Sequence, residues 1–335
     1  MRLTIRNFSA WILASLLILL GFVRRAKRKA MHGRFMLSVY FHKPSKREFE
    51  ACVKWLKKNG FTFISTSDLE NIIQHELELP KGAILLTVDD GWQTNEANIV
   101  EVVNKYHVPV TIFISSEPVE EGAYWWSYVT KAQQLPLQAP SKHALKQLQN
   151  EARLSIVRDL RAKITLPREA MTVEQVKRIT ASGYVTVGGH THTHPILINC
   201  EDEVVYEELR ISKQKLESWT GAKVNSFAYP NGNYGSREIK ALQDLEYRLA
   251  FSSDPLYITR EKLKDRYEIP RFGLLEGASM AENICRMVGV WQTVLHKLRL
   301  PSSRKPTEKD RQNQVQSGET PPLLSNVESP LVTPG

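Results

Sequence analysis

The chain has 335 residues, 42% of them hydrophobic, so it is long enough to bury a substantial core. Its formal net charge of +9 is concentrated near one end, because seven lysines and arginines lie within the first 29 residues. No nucleic-acid-binding motif accompanies this charge, so the sequence does not predict a nucleic acid as partner. Cys52, Cys200 and Cys285 are too widely spaced for a zinc finger or a disulfide framework.

Residues 8–23 form an uncharged run of 16 residues. As a helix this run would be about 24 Å long, against a bilayer core of about 30 Å. Basic residues flank it and no clear cleavage site follows, so we expect residues 1–30 to be an uncleaved membrane anchor. Two basic residues precede the run and five follow it, which by the positive-inside rule favours a cytoplasmic domain.

Along the rest of the chain, apolar runs of strand length alternate with helix-like segments. The predicted strands are residues 36–41, 61–65, 84–88, 108–115, 184–188, 224–229 and 247–252. The predicted helices are residues 46–59, 67–75, 94–106, 145–164, 172–182, 201–219 and 236–244. Strands separated by helices predict parallel βαβ units and hence an α/β fold, whose active sites gather at the carboxyl ends of the strands.

An acidic pair, Asp89 and Asp90, follows the predicted strand 84–88 and precedes Gly91. Adjacent carboxylates at a strand end point to opposite sides of the pleat, and a turn at Gly91 then lets the chain bend away. One carboxylate could therefore bind a metal while the other faces a substrate. The alternative interpretation of Asp-Asp-Gly is a plain turn.

A second polar motif, Gly-His-Thr-His-Thr-His-Pro, occupies residues 189–195. One carboxylate and two imidazoles would hold a divalent metal with a position open for water, and the other carboxylate could act as base. On a strand, His190, His192 and His194 would share one face, whereas on a tight turn His190 and His194 would converge and His192 would point away. The spacing alone does not choose between these arrangements, and a solvated polar loop is the third interpretation.

These two motifs resemble those of the polysaccharide deacetylase family, also called carbohydrate esterase family four. The family's Thr-Phe-Asp-Asp-Gly is matched by residues 87–91, with Val88 in place of Phe. Its His-Ser/Thr-X-X-His-Pro motif is matched in full by residues 190–195. The resemblance extends from about residue 37 to about residue 289 and implies an incomplete (β/α) barrel.

The resemblance also implies roles for particular residues. Asp89 is expected to be the general base, and His192 falls on a variable position of the motif. The expected metal ligands are Asp90, His190 and His194. Two imidazoles and one carboxylate suit Zn²⁺, while Co²⁺, Ni²⁺ and Fe²⁺ fit the same ligands.

A third segment, residues 226–232, resembles the family's Phe-Arg-Pro-Pro-Tyr-Gly stretch. Ala228 stands where the family has Arg, and Asn231 stands where it has Tyr, so the backbone N–H of Asn231 is expected to serve the oxyanion hole. The Phe-Ala-Tyr-Pro and later Ile-Pro-Arg stretches are similar to the family branch that acts on poly-N-acetylglucosamine. We therefore expect Arg271 to supply the missing cation beside Asp89, the alternative being a surface arginine at the start of a strand.

Two histidines compete for the role of general acid. The same family branch has a Tyr-His segment near the start of the domain, which Tyr40-Phe41-His42 resembles, so we expect His42 to protonate the leaving amine. The rival is His296, in a stretch similar to the Leu-X-His motif of other members. The alternative interpretation of His296 is an exposed helix histidine, and the remaining histidines, His143 among them, are interpreted as ordinary polar positions.

An aromatic cluster at residues 124–128 lies where the strand–helix alternation breaks. Aromatic faces stack well on sugar rings, so Trp125, Trp126 and Tyr229 are candidate substrate-binding residues, with core packing as the alternative. The expected function is metal-dependent removal of N-acetyl groups from an N-acetylated glycan, either a polysaccharide or a lipid-linked glycan. The alternatives are a deformylase or amide hydrolase acting on another modified sugar, and a glycan-binding pseudoenzyme.

The predicted domain organisation is therefore an anchor at residues 1–30, a catalytic domain at 31–300 and a disordered tail at 301–335. The tail has six prolines, no aromatic residue and balanced charges. Most members of the family act outside the cytoplasm, which conflicts with the positive-inside rule here and leaves the side of the membrane open. The sequence does not identify protein partners or an oligomeric state.

Overall fold

A computed structural model of the protein describes residues 4–298, with the side chains of residues 4–295. The predicted tail at 301–335 lies outside the described residues. The described residues up to His296 belong to one compact unit, so the described part of residues 1–30 packs with the barrel that follows.

The described residues form eight parallel strands in one curled sheet, seven of them in the order β7-β6-β5-β4-β3-β1-β8. The remaining strand, β2, pairs with the first half of β3, on the same edge on which β4 pairs with its second half. Within the described sheet, the edge strands β7 and β8 do not pair with each other, so the sheet is an incomplete (β/α) barrel, as predicted. One parallel bridge, from Phe251 of β7 to Ile269, lies at the gap between them. The strands are β1 Leu37–Phe41, β2 Thr62–Ile64, β3 Ala83–Val88, β4 Val110–Ile114, β5 Val185–Gly189, β6 Ser226–Ala228, β7 Leu249–Phe251 and β8 Phe272–Gly273.

Fourteen α-helices lie among the described residues. They are α1 Ile5–Leu19, α2 Phe22–Met31, α3 Lys46–Lys58, α4 Thr66–Gln74, α5 Glu101–Tyr106, α6 Ser116–Glu121, α7 Trp125–Ala132, α8 Lys142–Leu145, α9 Asn150–Lys163, α10 Val173–Thr180, α11 Asp202–Thr220, α12 Ser236–Asp244, α13 Met280–Met287 and α14 Val290–Leu298. A π-helical segment, Glu96–Val100, leads into α5. Capping boxes begin α3, α4 and α10, because Ser or Thr at the cap is followed three residues later by an acid or amide.

The seven predicted strands all correspond to observed ones, but β8 was not predicted. Its two residues are too short for a hydrophobic pattern to reveal, since that pattern needs at least four. Every residue of β3 and β4 is buried, as expected for central parallel strands covered on both faces.

The N-terminal helix α1 packs against α13 through small side chains. Ala10 and Ala14 are buried, and Cys285 of α13 contacts the carbonyl oxygen of Ala14 at 3.6 Å from its Sγ. Within the described residues no helix is by itself long and apolar enough to cross a membrane, whereas α1 and α2 meet that test as a pair but are bent by 59°. The membrane anchor at residues 1–30 stays a prediction.

The central strands leave no room for a side chain at Gly188. A Cβ there would overlap the ring of Phe113, which is fully buried and cannot move aside. We expect Gly188→Ala to lower the free energy of unfolding by about 1–3 kcal/mol through overpacking. Gly183→Ala is the matched control, because its Cβ would meet nothing within 4 Å. Urea unfolding of both variants checks this, and equal stabilities would contradict it.

Candidate metal centre and active site

The acidic pair lies at the carboxyl end of β3, and a left-handed turn follows it. Asp90 has φ 78° and Gly91 has φ 85°. A Cβ at Gly91 would lie 2.9 Å from Ile114, so the position needs glycine for space as well as for conformation. The turn separates the two carboxylates, as the sequence predicted for Asp-Asp-Gly.

Asp90 meets two histidines in a buried cluster. Its Oδ1 lies 3.5 Å from Nε2 of His190 and 3.5 Å from Nε2 of His194. One ligand atom from each of the three residues lies within 4.8 Å of the others. This is the ligand set that the sequence predicts for a divalent metal.

The histidine motif forms a turn rather than a strand. His190 follows β5 directly, and positive φ angles at Thr191 (65°) and His194 (54°) curl the chain back. The rings of His190 and His194 therefore converge with centroids 4.8 Å apart. His192 points elsewhere, with Nδ1 2.8 Å from Oγ of Ser116. The structure thus selects one of the two arrangements that the spacing left open.

Neighbouring groups orient these side chains for a cation. Nδ1 of His190 lies 2.7 Å from the carbonyl oxygen of Ala228, which can only accept, so Nδ1 carries the proton and Nε2 presents a lone pair. Nε2 lies 3.5 Å from Oδ1 of Asp90, so both atoms could be ligands of one divalent ion. The indole of Trp92 donates to the other oxygen, Oδ2, at 2.9 Å.

Burial and proximity set the charges of this cluster. Burial raises the pKa of Asp90, but the side chains of His190 and His194 stabilise the carboxylate by more, so this pKa lies well below its usual range. Burial lowers the pKa of His194 to about 4, although Asp90 opposes the shift. At neutral pH the carboxylate is therefore ionised and His194 is neutral, the protonation states in which both bind metals.

Asp89 is held by Arg271 in a two-pronged ion pair. The guanidinium donates to its two oxygens at 2.7 and 2.9 Å, and both residues are almost fully buried. Arg271 also donates to the carbonyl oxygen of Ser252 and lies over the ring of Tyr40, 4.7 Å from the centroid. The structure thus places Arg271 beside Asp89, where the sequence located a missing cation, and not at the surface.

A cavity of about 610 Å³ opens above this centre and gathers ten residues that the sequence predicted as catalytic, metal-binding or substrate-binding. They come from loops that follow different strands, as is usual at the carboxyl face of an α/β barrel. These residues are His42, Asp89, Asp90, Trp125, Trp126, His190, His194, Tyr229, Asn231 and Arg271.

His42 lies at the rim of the cavity with its side chain 42% exposed. Oε1 of Glu276 accepts from the backbone N–H of His42 at 3.0 Å and lies 3.9 Å from its Nδ1. The loop that carries His42 is therefore fixed while the ring stays accessible. The side chain of His296, the rival candidate, lies outside the described residues.

Asn231 lies in a short 3₁₀ turn with φ 58°. Its side-chain oxygen accepts from Nζ of Lys146 at 2.8 Å. Its backbone N–H makes no hydrogen bond within residues 4–298, so this donor is available to a ligand in the cavity.

The three aromatic candidates differ in how much of the side chain is available to a substrate. Trp126 is half-buried and meets His194 edge-on, with centroids 4.7 Å apart. Trp125 is buried, and its indole donates to the carbonyl oxygen of His194 at 3.1 Å. The hydroxyl of Tyr229 donates to the carbonyl oxygen of Tyr267 at 3.0 Å, so it is already used in the core.

Several residues at the site were not predicted from the sequence. Lys142, His143 and Lys146 line the cavity, although the sequence assigned none of them a role. Glu208 of α11 is buried and accepts from the backbone N–H groups of His192 and Thr193 at 2.8 and 2.7 Å, so it holds the histidine turn. A signal for Glu208 exists, because this acid lies on the apolar face of a helix.

The fold and the site define a class: α/β half-barrels with an Asp-His-His cluster at the carboxyl ends of their strands. Residues 76–250 match the family model described as polysaccharide deacetylase, so the chain belongs to the polysaccharide deacetylase family, whose members are hydrolases.

Individual relatives agree with this assignment. YxkH of Bacillus subtilis (strain 168), a protein named for the same family, is 21% identical over 217 residues, which are 65% of this chain and 61% of YxkH. The chain thus spans less than two thirds of that relative.

Three solved structures share the fold. The deacetylase PplD of Streptococcus pyogenes, solved with acetate, is 16% identical with a TM-score of 0.57 over 76% of this chain and 98% of its own. IcaB of Ammonifex degensii is 19% identical with a TM-score of 0.53 over 77% and 97%. The BpsB deacetylase domain of Bordetella bronchiseptica is 15% identical with a TM-score of 0.53 over 74% and 98%.

The contacts of the three histidines predict which of them bind the metal. We expect His190→Ala and His194→Ala to weaken Zn²⁺ or Co²⁺ binding by more than the roughly 100-fold that loss of an outer contact can cost. His192→Ala should bind as tightly as the unaltered chain, because its ring points to Ser116. Calorimetric titration of the metal-stripped proteins measures this. Equal losses in all three variants would mean that the turn binds no metal as described.

Glu208 should matter for metal binding without touching the metal. Removing its side chain leaves two backbone N–H groups of the turn unpaired, so we expect Glu208→Ala to weaken metal affinity by about 10–100-fold. Glu208→Gln should recover most of the loss, because it keeps an acceptor oxygen. Glu207→Ala, an exposed neighbour on the same helix, serves as control, and an unchanged affinity in Glu208→Ala would disprove the positioning role.

Proposed function

We propose that this protein is a metal-dependent N-deacetylase that hydrolyses the N-acetyl groups of amino sugars in a glycan. One observation carries the proposal: an Asp-His-His cluster and an arginine-held carboxylate lie together at the base of one cavity. A carboxylate kept separate from the metal ligands is what hydrolysis needs as a base.

The donor set fits a divalent ion. Asp90 is ionised, and His190 and His194 turn ring nitrogens toward it, a combination that suits Zn²⁺ and also fits Co²⁺, Ni²⁺ or Fe²⁺. An ion bound there would act as a Lewis acid on the acetyl carbonyl and make a water molecule more acidic. The remaining chemistry falls to side chains and backbone of this chain.

Asp89 takes the proton from the attacking water, and Arg271 orients its two oxygens throughout. The N–H of Asn231 donates to the oxygen that becomes negative as the carbonyl carbon turns tetrahedral. His42 then gives a proton to the sugar nitrogen as the C–N bond breaks, and Glu276 keeps its backbone in place. The products are acetate and a free amino sugar.

The walls of the cavity support a sugar substrate. Trp126 offers a partly exposed indole next to the reaction centre, and Lys142 and Lys146 also line the cavity. The resemblance of residues 226–232 and 269–271 to the branch acting on poly-N-acetylglucosamine favours an N-acetylglucosamine polymer. A lipid-linked glycan remains the second form in which the same sugar could be presented.

Acetate release tests the proposal directly. The full chain is stripped of metal, reloaded with Zn²⁺ or Co²⁺ and given N-acetylglucosamine oligomers. We expect metal-dependent release, and a decrease of about 10²–10⁴-fold in Asp89→Asn, because the base is lost while the ligands remain. Asp159→Asn, an exposed position on α9, is the matched control.

Other outcomes would replace the proposal. Formate release from N-formylated sugars without acetate release would indicate the deformylase alternative. Glycan binding without turnover in any metal-loaded form would indicate the pseudoenzyme. Failure to bind a divalent metal would overturn the site itself.

A further inference from the structure

Exposed apolar side chains are concentrated at the N-terminus. Thirteen large apolar side chains are exposed across the described residues, and the other four are scattered over the barrel. Nine of the thirteen lie in one stretch of eighteen residues: Ile5, Phe8, Trp11, Ile12, Leu16, Ile18, Leu19, Leu20 and Phe22. Such a contiguous patch marks an interaction surface, whereas single exposed residues do not.

Helix α1 has two apolar faces, one turned inward and one outward. Steps of three and four residues follow one side of a helix, and such steps connect the exposed residues Ile5, Phe8, Ile12, Leu16 and Leu19. The same steps connect the buried residues Asn7, Ala10, Ala14 and Leu17. A helix on the surface of a globular domain normally turns polar residues outward, so the outer face of α1 requires another explanation.

The inner face of α1 is fixed to the domain by polar contacts as well as by packing. Arg6 donates to both oxygens of Glu282, one of them at 2.8 Å, and the side chain of Glu282 is completely buried. The side chain of Asn7 donates to the carbonyl oxygen of Gly277 at 3.2 Å. Detaching α1 would break this ion pair and leave Arg286 as the remaining cationic partner of the buried carboxylate, which is unfavourable.

The neighbouring helix α2 carries a basic outer face. Its residues Val23, Ala26 and Ala30 are buried, whereas its exposed residues include Arg24, Arg25, Arg28 and Lys29. The sequence has no acidic residue before Glu48, so nothing nearby along the chain neutralises this charge. An apolar stripe followed by a basic helix is the composition of segments that lie in the interface of an anionic membrane.

We propose that the outer face of α1 is an in-plane membrane-binding surface for a bilayer of anionic lipids. In this arrangement α1 lies along the boundary between headgroups and acyl chains while its inner face stays on α13, and the basic residues of α2 contact lipid phosphates. A second copy of this chain is disfavoured as the occupant, because pairing the two stripes would bring two strongly basic helices together. The proposal does not depend on the reaction that the cavity catalyses.

The contacts of α1 also connect this surface with the cavity. Gly277, which accepts from Asn7, directly follows Glu276, which accepts from the backbone N–H of His42. The N-terminal end of α1 is therefore linked through this loop to the rim of the cavity.

Binding of the full chain to vesicles tests the surface. Vesicles of phosphatidylcholine with and without phosphatidylglycerol are sedimented with the protein. We expect binding that needs phosphatidylglycerol, and a decrease of about tenfold or more in the triple variant Ile12→Ser/Leu16→Ser/Leu19→Ser, since three apolar side chains leave the lipid. The control Leu77→Ser/Leu135→Ser/Leu256→Ser removes exposed apolar residues elsewhere and should bind normally. Equal binding by both triple variants, or self-association without vesicle binding, would overturn the proposal.

A cross-link separates lying on the membrane from crossing it. Sγ of Cys285 lies 3.6 Å from the carbonyl oxygen of Ala14, so oxidation of the Ala14→Cys variant should join α1 to α13, and adding Cys285→Ala should abolish the link. We expect the linked protein to bind vesicles as well as the unlinked protein. Loss of vesicle binding on linking would mean that α1 leaves the domain to insert, which contradicts the in-plane arrangement. Acetate release measured in parallel shows whether the cavity works, whatever the membrane result.

Discussion

Two carboxylates lie side by side at the end of a buried strand, and most of the site serves to balance their charges. Asp89 and Asp90 would repel each other in an environment of low polarity unless each had its own counter-charge. Arg271 neutralises Asp89 through two hydrogen bonds, and the histidine pair with a divalent ion would neutralise Asp90. One carboxylate is paired with an arginine and the other with a metal site, which leaves Asp89 as base and Asp90 as ligand.

This constraint explains details of the fold that otherwise look incidental. The short strand β8 lies next to β1 and is preceded by Arg271, which reaches Asp89 although 182 positions separate them in the chain. Gly91 allows the turn that separates the two carboxylates. The side chain of Glu208 holds the backbone of the histidine turn at His192 and Thr193, and the carbonyl oxygen of Ala228 orients the ring of His190.

The sequence predicted those parts of the protein in which chemistry and local pattern coincide. The motif residues follow strands with clear apolar runs, so their meeting at one face of the barrel could be expected, as could the place of Arg271. Lys142 and Lys146 could not be predicted, since a segment outside the strand–helix alternation brings them to the cavity. The packing of α1 on α13 could not be predicted either. A helix with apolar residues on all sides is expected to be buried, but its sequence does not say whether lipid or protein buries it.

The central claim is that Asp90, His190 and His194 hold one divalent metal ion. Anomalous diffraction at the zinc edge, from crystals of the protein grown with Zn²⁺, tests it most directly. The account predicts one strong peak per chain, about 2.0–2.2 Å from a carboxylate oxygen of Asp90 and from Nε2 of both histidines. A peak bound instead through Asp89 or His192, or no peak at this cluster, would contradict it.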